Sequence, residues 1–213
     1  MKKVSKSQEY LLYRVQVTTE AVLSVPELQK AMAQHTYHSK KVEEGQQIRE
    51  KVRSLQIKQE VTQGNARKAQ NTLQEAKETI QALYIDHLET ARFIYRRDEE
   101  MQRKLRLTGS RKRQYTQWLA QVKRFYQHVE DEMMERYDVP AEELQEARQL
   151  MERLLDLEVL RNDARRQSQQ ASQAKQAAFL QLREWYCRFM RVAKIACEHD
   201  QQMLESLGIA VPN

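Results

Sequence analysis

Apolar residues recur along this chain at the spacing of an α-helix. The clearest stripe places them at i, i+3, i+4, i+7, i+11 and i+14, at Leu182, Trp185, Tyr186, Phe189, Ala193 and Ala196. A second stripe contains Trp118, Leu119, Val122, Phe125, Tyr126, Val129 and Met133. Because such positions share one face of a helix, the pattern predicts amphipathic helices. We therefore expect an all-α protein, an antiparallel helical bundle.

The pattern repeats at a constant offset of 102 residues. The stripe that starts at Leu182 has a copy at Ile80, Leu83, Tyr84, His87, Ala91 and Ile94. Identical or similar residues extend this register in both directions, as in Ala76/Ala178, Leu55/Leu157, Asp98/Asp200, Met101/Met203 and Leu105/Leu207. A fixed period is typical of duplicated structural units. We predict two tandem copies, 1–107 and 108–213, packed in one joint bundle, with like environments for Tyr84 and Tyr186.

Gly, Ser and Pro residues predict where helices begin and end. Thr108-Gly109-Ser110 predicts a Gly stop followed by a Ser N-cap, and Pro140 suits the first turn of another helix. Residues 161–173 are almost entirely polar, and the corresponding part of the first copy contains Gly64-Asn65. Each unit then has either three helices with a turn here or two with an exposed joint in one long helix. We favour the turn.

The motifs of these helices resemble those of a group of functionally uncharacterised bacterial helical proteins. The C-terminal part carries W-Y-x-x-F-x-x-x-A-x-I-A from Trp185 to Ala196, then L-E-x-L-G-I from Leu204 to Ile209, and the middle carries L-x-L-x-G-x-R-K from Leu105 to Lys112. In that group a Pro commonly opens the last short helix, where this chain has Gln201, so fusion of that helix with its predecessor is left open as an alternative. The resemblance implies a helical bundle and no activity, substrate or partner.

Composition agrees with helices, since 40% of residues are hydrophobic, 31% are charged, and only four are Gly and three Pro. No stretch of about 18 apolar residues occurs, so we expect no membrane insertion. The basic N-terminal residues lack the pattern of a signal peptide, and we expect a cytoplasmic protein. Cys187 and Cys197, ten residues apart in one helix, are too distant to form a disulfide and are expected to pack as small apolar residues.

Several His and Asp residues are candidates for metal or catalytic sites. No His has a Glu three residues before it, as a di-iron bundle requires. His35 and His38 are expected in a solvated turn, and His87 is expected to pack where the other copy has Phe189. Asp98 and Asp200 are expected to cap short helices. Neither a Gly-x-Ser-x-Gly turn nor a phosphate loop occurs. We therefore expect no enzyme, no cofactor, no metal and no small-molecule substrate.

Basic residues concentrate around one interhelical turn, at Arg103, Lys104, Arg106, Arg111, Lys112 and Arg113. They are candidates for an anion site, with Tyr115 and Trp118 nearby for stacking. The alternative is a solvated turn at the C-terminal end of a helix dipole. Residues 1–106 carry a charge of +6 and residues 107–213 carry none, which argues against a nucleic-acid-binding surface along the whole chain. We expect a structural or protein-interaction module, with partner binding or self-association; anionic-polymer binding at 103–113 is the alternative.

Overall fold

A computed structural model describes residues 6–109 and 114–209 of the 213-residue chain, and their regular structure is helical throughout. Eight helices lie in these ranges: α1 (Lys6–Ser24), α2 (Pro26–Gln34), α3 (Ser39–Ile94), α4 (Glu99–Leu105), α5 (Tyr115–His128), α6 (Asp131–Glu135), α7 (Ala141–Ala196) and α8 (Gln201–Ser206). The prediction of an all-α fold is confirmed. None of the described helices has an apolar stretch long enough to cross a membrane.

The helices pack into two compact units. Unit 1 combines residues 1–63 with 166–213, and unit 2 consists of residues 64–165. Each unit therefore contains about half of α3 and half of α7 together with shorter helices. The two compact units do not coincide with the predicted copies, whose boundary lies between 107 and 108. Each compact unit contains residues from both copies.

Unit 1 buries aromatic and aliphatic side chains from α1, α2, α3 and α7. Phe189 is fully buried, stacks on Trp185 at a centroid distance of 5.1 Å and meets the edge of Tyr37 at 5.7 Å. In this unit α3 and α7 run antiparallel, since Gly45 lies against the Trp185 ring while Gln59 donates to Ser172 over 3.0 Å. The expected burial of Trp185 and Phe189 is confirmed.

Unit 2 has its own core, centred on aromatic residues from α3 and α5. Tyr84 is fully buried and makes edge contacts with Phe125 and Tyr126. Other fully buried members are aliphatic: Ile80, Val122, Leu144 and Leu154. The stripe that begins at Trp118 therefore faces inward, as its spacing predicts.

The favoured turn within residues 161–173 is wrong. α7 is one helix of 56 residues through this segment, and α3, also of 56 residues, continues through Gly64-Asn65. The segment contains no Pro or Gly, and its Arg, Gln and Ala residues have good helix propensity. In unit 1, α7 also has a neighbour here, because Ser172 accepts from Gln59 of α3.

Two further helix ends are defined by breaks in the backbone. The stripe from Trp118 to Met133 belongs to two helices, since Val129 and Glu130 have extended backbones between α5 and α6. α8 is separate from α7, because the chain turns after Ala196 and restarts behind the Asp200 cap. α5 starts after Gln114, and the predicted Ser110 cap lies outside the described residues. The helix expected after Pro140 is present.

Several backbone features recur 102 positions apart. α3 and α7 begin at Ser39 and Ala141. Left-handed residues follow helices at Thr36 and Asp138, and again at Arg106 and Gly208. All four positions close a helix end in which the next residue donates to a carbonyl five residues earlier: Tyr37 to Met32, Val139 to Met134, Leu107 to Gln102 and Ile209 to Leu204.

Side-chain environments follow the 102-residue offset less closely. Tyr84 is fully buried among aromatic rings, whereas Tyr186 is half-buried and its hydroxyl accepts from the Arg14 guanidinium over 3.2 Å. The prediction of like environments for these two tyrosines is wrong. The reason is the neighbouring helix, which brings Phe125 and Tyr126 to Tyr84 but Arg14 to Tyr186.

Candidate functional site

Three residues of the predicted basic cluster lie at the end of α4. Arg103, Lys104 and Arg106 are all exposed. The Arg103 guanidinium donates to the Glu99 carbonyl over 3.2 Å and lies 4.0 Å from the Glu99 carboxylate. Arg106 adopts a left-handed conformation, φ 52°, and closes the helix. Arg111, Lys112 and Arg113 lie outside the described residues, so the predicted anion site stays a prediction.

The predicted capping aspartates are confirmed. The Asp98 carboxylate accepts from the backbone N–H groups of Glu100 and Met101 over 3.1 and 3.0 Å. Asp200 accepts from the N–H of Met203 over 3.0 Å. Both carboxylates thereby satisfy donors that the first turn of a helix leaves free.

His87 is packed in the core of unit 2, as expected, and it also joins a polar group that the sequence pattern did not indicate. Its Nδ1 lies 3.0 Å from the Tyr126 hydroxyl and its Nε2 lies 2.9 Å from the Glu143 carboxylate. Burial raises the pKa of Tyr126, so this hydroxyl keeps its proton. His87 is only 1% exposed, and substrate therefore cannot reach the ring. We assign it a role in packing.

The other candidate residues are His35, His38 and the two cysteines. His35 and His38 are exposed between α2 and α3. Cys187 is exposed, Cys197 is buried and both thiols are free. Among the residues that the structure describes, no group of three or more His, Cys, Asp or Glu side chains is arranged to hold a metal ion.

Unit 2 contains a groove formed by α5, α6 and the first part of α7, with a volume of about 1230 Å³. We call it the α5–α7 groove. Its apolar lining comes from three helices: Tyr126 and Val129 at the end of α5, Met133 of α6, and Met151 and Leu155 of α7. Its polar lining consists of Lys123, Gln127, Glu130, Asp131, Glu132, Arg148 and Glu152.

One ion pair positions the helices that form the α5–α7 groove. Two nitrogens of Arg148, on α7, donate to the two carboxylate oxygens of Asp131, on α6, over 2.8 and 2.5 Å. The Arg148 Nε also donates to the backbone carbonyl of Tyr126 over 3.0 Å. Hydrogen bonding from Arg148 lowers the pKa of the Asp131 carboxyl. A single guanidinium therefore joins α7 to α6 and to the last turns of α5.

The α5–α7 groove has a buried apolar floor and two accessible apolar side chains. Met151 and Val129 form a buried floor, Met133 is half-buried, and Leu155 is 39% exposed. Glu130, Glu132 and Glu152 are exposed. Sequence analysis missed this site, because it depends on the break between α5 and α6 that brings Met133 beside α7. The local signal was Glu130-Asp131-Glu132 next to Met133-Met134, an acidic run beside flexible apolar residues.

No family model, curated protein or solved structure matches this chain.

Proposed function

We propose that this chain is a non-enzymatic protein-interaction module that binds through the α5–α7 groove. The observation that carries the proposal is the groove itself, in which Met133 of α6 and Leu155 of α7 stay accessible over a buried apolar floor and beside exposed charges. Binding surfaces between proteins combine an apolar centre with a polar rim in this way. Its volume of about 1230 Å³ exceeds the range of about 300–1000 Å³ that is common for small-molecule sites.

The polar core residues favour a structural role over catalysis. The His87, Tyr126 and Glu143 group has the residue types of general acid–base chemistry. However, its histidine is buried and both ring nitrogens lie within hydrogen-bond distance of a partner. The two free thiols favour a reducing compartment, and we place the protein in the cytoplasm.

We also propose that the chain arose by duplication of a unit of 102 residues. The support is the recurrence of helix starts, caps and left-handed helix ends at this offset, including Asp98/Asp200 and Arg106/Gly208. The difference between Tyr84 and Tyr186 is then a divergence of packing on a shared backbone plan. Only the second copy combines the acidic run with the α5–α7 groove, and this restricts the proposed binding site to unit 2.

Site-specific photo-crosslinking tests the interaction function. A photoreactive phenylalanine analogue replaces Leu155 in the groove, and in a control variant it replaces Val159, one turn along α7 and 61% exposed but outside the groove. We expect Leu155 to yield a discrete adduct with another protein in cells of the source organism. Val159 should not.

Reconstitution then separates a partner from a chance capture. The captured protein is purified and titrated against the full chain, its Leu155→Asp variant and its Val159→Asp variant. We expect only Leu155→Asp to weaken binding, by about tenfold or more. Equal binding by the two variants, or the same adducts from both crosslinking positions, would contradict the proposed function. Adducts between copies of the chain would replace it with self-association.

A further inference from the structure

The lining of the α5–α7 groove fits an inserted helix. Met133 and Met151 have unbranched, polarizable side chains that adapt to different apolar surfaces, and Leu155 extends the apolar surface along α7. A helix that enters a groove presents apolar residues at i, i+3, i+4 and i+7 on one face. Several such side chains need more room than one small ligand, and a volume of about 1230 Å³ provides it.

The rim of the groove is acidic. Glu130, Glu132 and Glu152 are exposed around it, and Lys123 is the exposed cation of the lining. Asp131 and Arg148 neutralise each other in their ion pair. Three carboxylates against one ammonium leave a net charge of −2 on the rim. A cationic ligand can therefore form ion pairs here without breaking the contact that joins α6 to α7.

The surrounding sequence strengthens this field. Residues 130–158 contain eleven Asp and Glu against three Arg, a net charge of −8, while the whole chain carries +6. The remaining residues therefore carry +14. A field of one sign around a cleft attracts ligands of the opposite sign and repels others. The rim carboxylates of the groove belong to the acidic segment of a basic protein, so the ligand preference of the groove is opposite to the one that net charge indicates.

We infer that the α5–α7 groove binds a basic amphipathic helix of a partner protein, with apolar residues on Met133, Met151 and Leu155 and Lys or Arg on Glu130, Glu132 and Glu152. This inference rests on the proposed function. The rim charge disfavours a polyanion.

Two designed peptides test the charge preference. Each has about 18 residues, or five helical turns, and the same Leu stripe, with Lys on the polar face of one and Glu on the other. Binding to the full chain is followed by fluorescence anisotropy. We expect the Lys peptide to bind about tenfold or more tightly than the Glu peptide, with a preference that shrinks as salt rises.

Matched charge reversals distinguish binding in the groove from attraction by the net charge of the protein. The variant Glu130→Lys, Glu132→Lys, Glu152→Lys should lose the preference for the Lys peptide. The control variant Glu60→Lys, Glu184→Lys, Glu198→Lys changes the same number of exposed charges in unit 1 and should keep it. Loss of the preference in both variants would show that net charge alone governs binding and would overturn the inference.

Methyl NMR locates the bound peptide. With ¹³C-methyl methionine, the Met133 and Met151 signals should shift on addition of the Lys peptide, while Met32, fully buried in unit 1, should stay in place. Binding without these shifts overturns the inference, as does a failure of the Lys peptide to bind. Shifts of Met133 and Met151 with protein concentration alone would identify a second copy as the occupant and likewise overturn it.

The two proposals fail in distinguishable ways. If the groove prefers the Glu peptide while Leu155 still crosslinks a partner whose binding Leu155→Asp weakens, the interaction function stands and the basic helix is wrong. If the Lys peptide binds and shifts Met133 and Met151 but no partner depends on Leu155, the groove has the inferred specificity and the proposed interaction function is wrong.

Discussion

At the scale of single residues, positions 87 and 189 show that equivalent packing positions can hold side chains of different chemistry. Both face the core of their unit, and both are buried. Phe189 needs only apolar neighbours, whereas His87 needs partners for two ring nitrogens and finds them in Tyr126 and Glu143. A polar group in a core is stable only when it is hydrogen-bonded. The histidine therefore depends on two specific residues from other helices.

Replacing Phe189 with Ala should destabilise the protein by about 3–5 kcal/mol, because the ring is fully buried and contacts Tyr37 and Trp185. Urea unfolding followed by circular dichroism measures the loss. Ile195→Ala is the control on the same helix, where the side chain is 59% exposed; we expect a change within about 0.5 kcal/mol. An unchanged midpoint for Phe189→Ala would show that the stripe does not support the core.

The Asp131–Arg148 pair should make stability pH-dependent. The folded state lowers the pKa of Asp131, so its contribution is complete above the unfolded pKa and is lost as pH falls through the folded one. Because the carboxylate is 39% exposed, we expect Asp131→Asn to cost about 0.5–1 kcal/mol near neutral pH. That difference from wild type should vanish once the pH falls below the folded pKa of Asp131. Asp156→Asn is the exposed control, and equal pH profiles for the two variants would contradict the prediction.

At the scale of elements, the long helices show how a partner changes what a polar sequence does. Residues 161–173 offer little to bury, and a polar helix alone in water has marginal stability. Here they lie within α7, and Gln59 of α3 reaches Ser172. The two glycines of α3 also have different neighbours. A Cβ at Gly45 would collide with the Trp185 ring, whereas Gly64 has open space around it.

Alanine substitutions at the two glycines of α3 test the continuous helix. Gly64→Ala should stabilise the protein by about 0.5–1 kcal/mol, because Ala loses less backbone entropy in a helix and meets no neighbour. Gly45→Ala should destabilise it, because Trp185 must move. Thermal unfolding of the two variants provides the measurement. A turn at Gly64 with a left-handed backbone would instead make Gly64→Ala destabilising.

At the scale of the whole molecule, charge is divided unevenly along the chain. The net value of +6 combines −8 in residues 130–158 with +14 elsewhere. Long-range attraction between exposed charges is screened within about 8 Å at physiological ionic strength. Local fields, rather than the net charge, therefore decide which ligands bind to each surface.

Polyanion binding should accordingly be weak. We expect the purified chain to be retained on immobilised double-stranded DNA only at low salt, since such binding depends on counterion release. Replacing Arg111, Lys112 and Arg113 together with Ser should reduce this retention and change stability by no more than about 0.5 kcal/mol. A sequence-selective complex that survives physiological salt and requires these three residues would favour the anion-binding alternative instead.

The sequence by itself determined the all-helical fold, the buried stripes and the capping aspartates. These depend on local periodicity and on short-range hydrogen bonds, as at Phe189 and at Asp98 with Met101. Only the tertiary structure decided the continuous α7, the partners of His87 and the α5–α7 groove. Their contacts join residues far apart in the chain, such as His87 with Glu143 and Arg148 with Asp131. Local periodicity shows which face of a helix is buried, but the choice of neighbouring helix depends on packing across the whole unit.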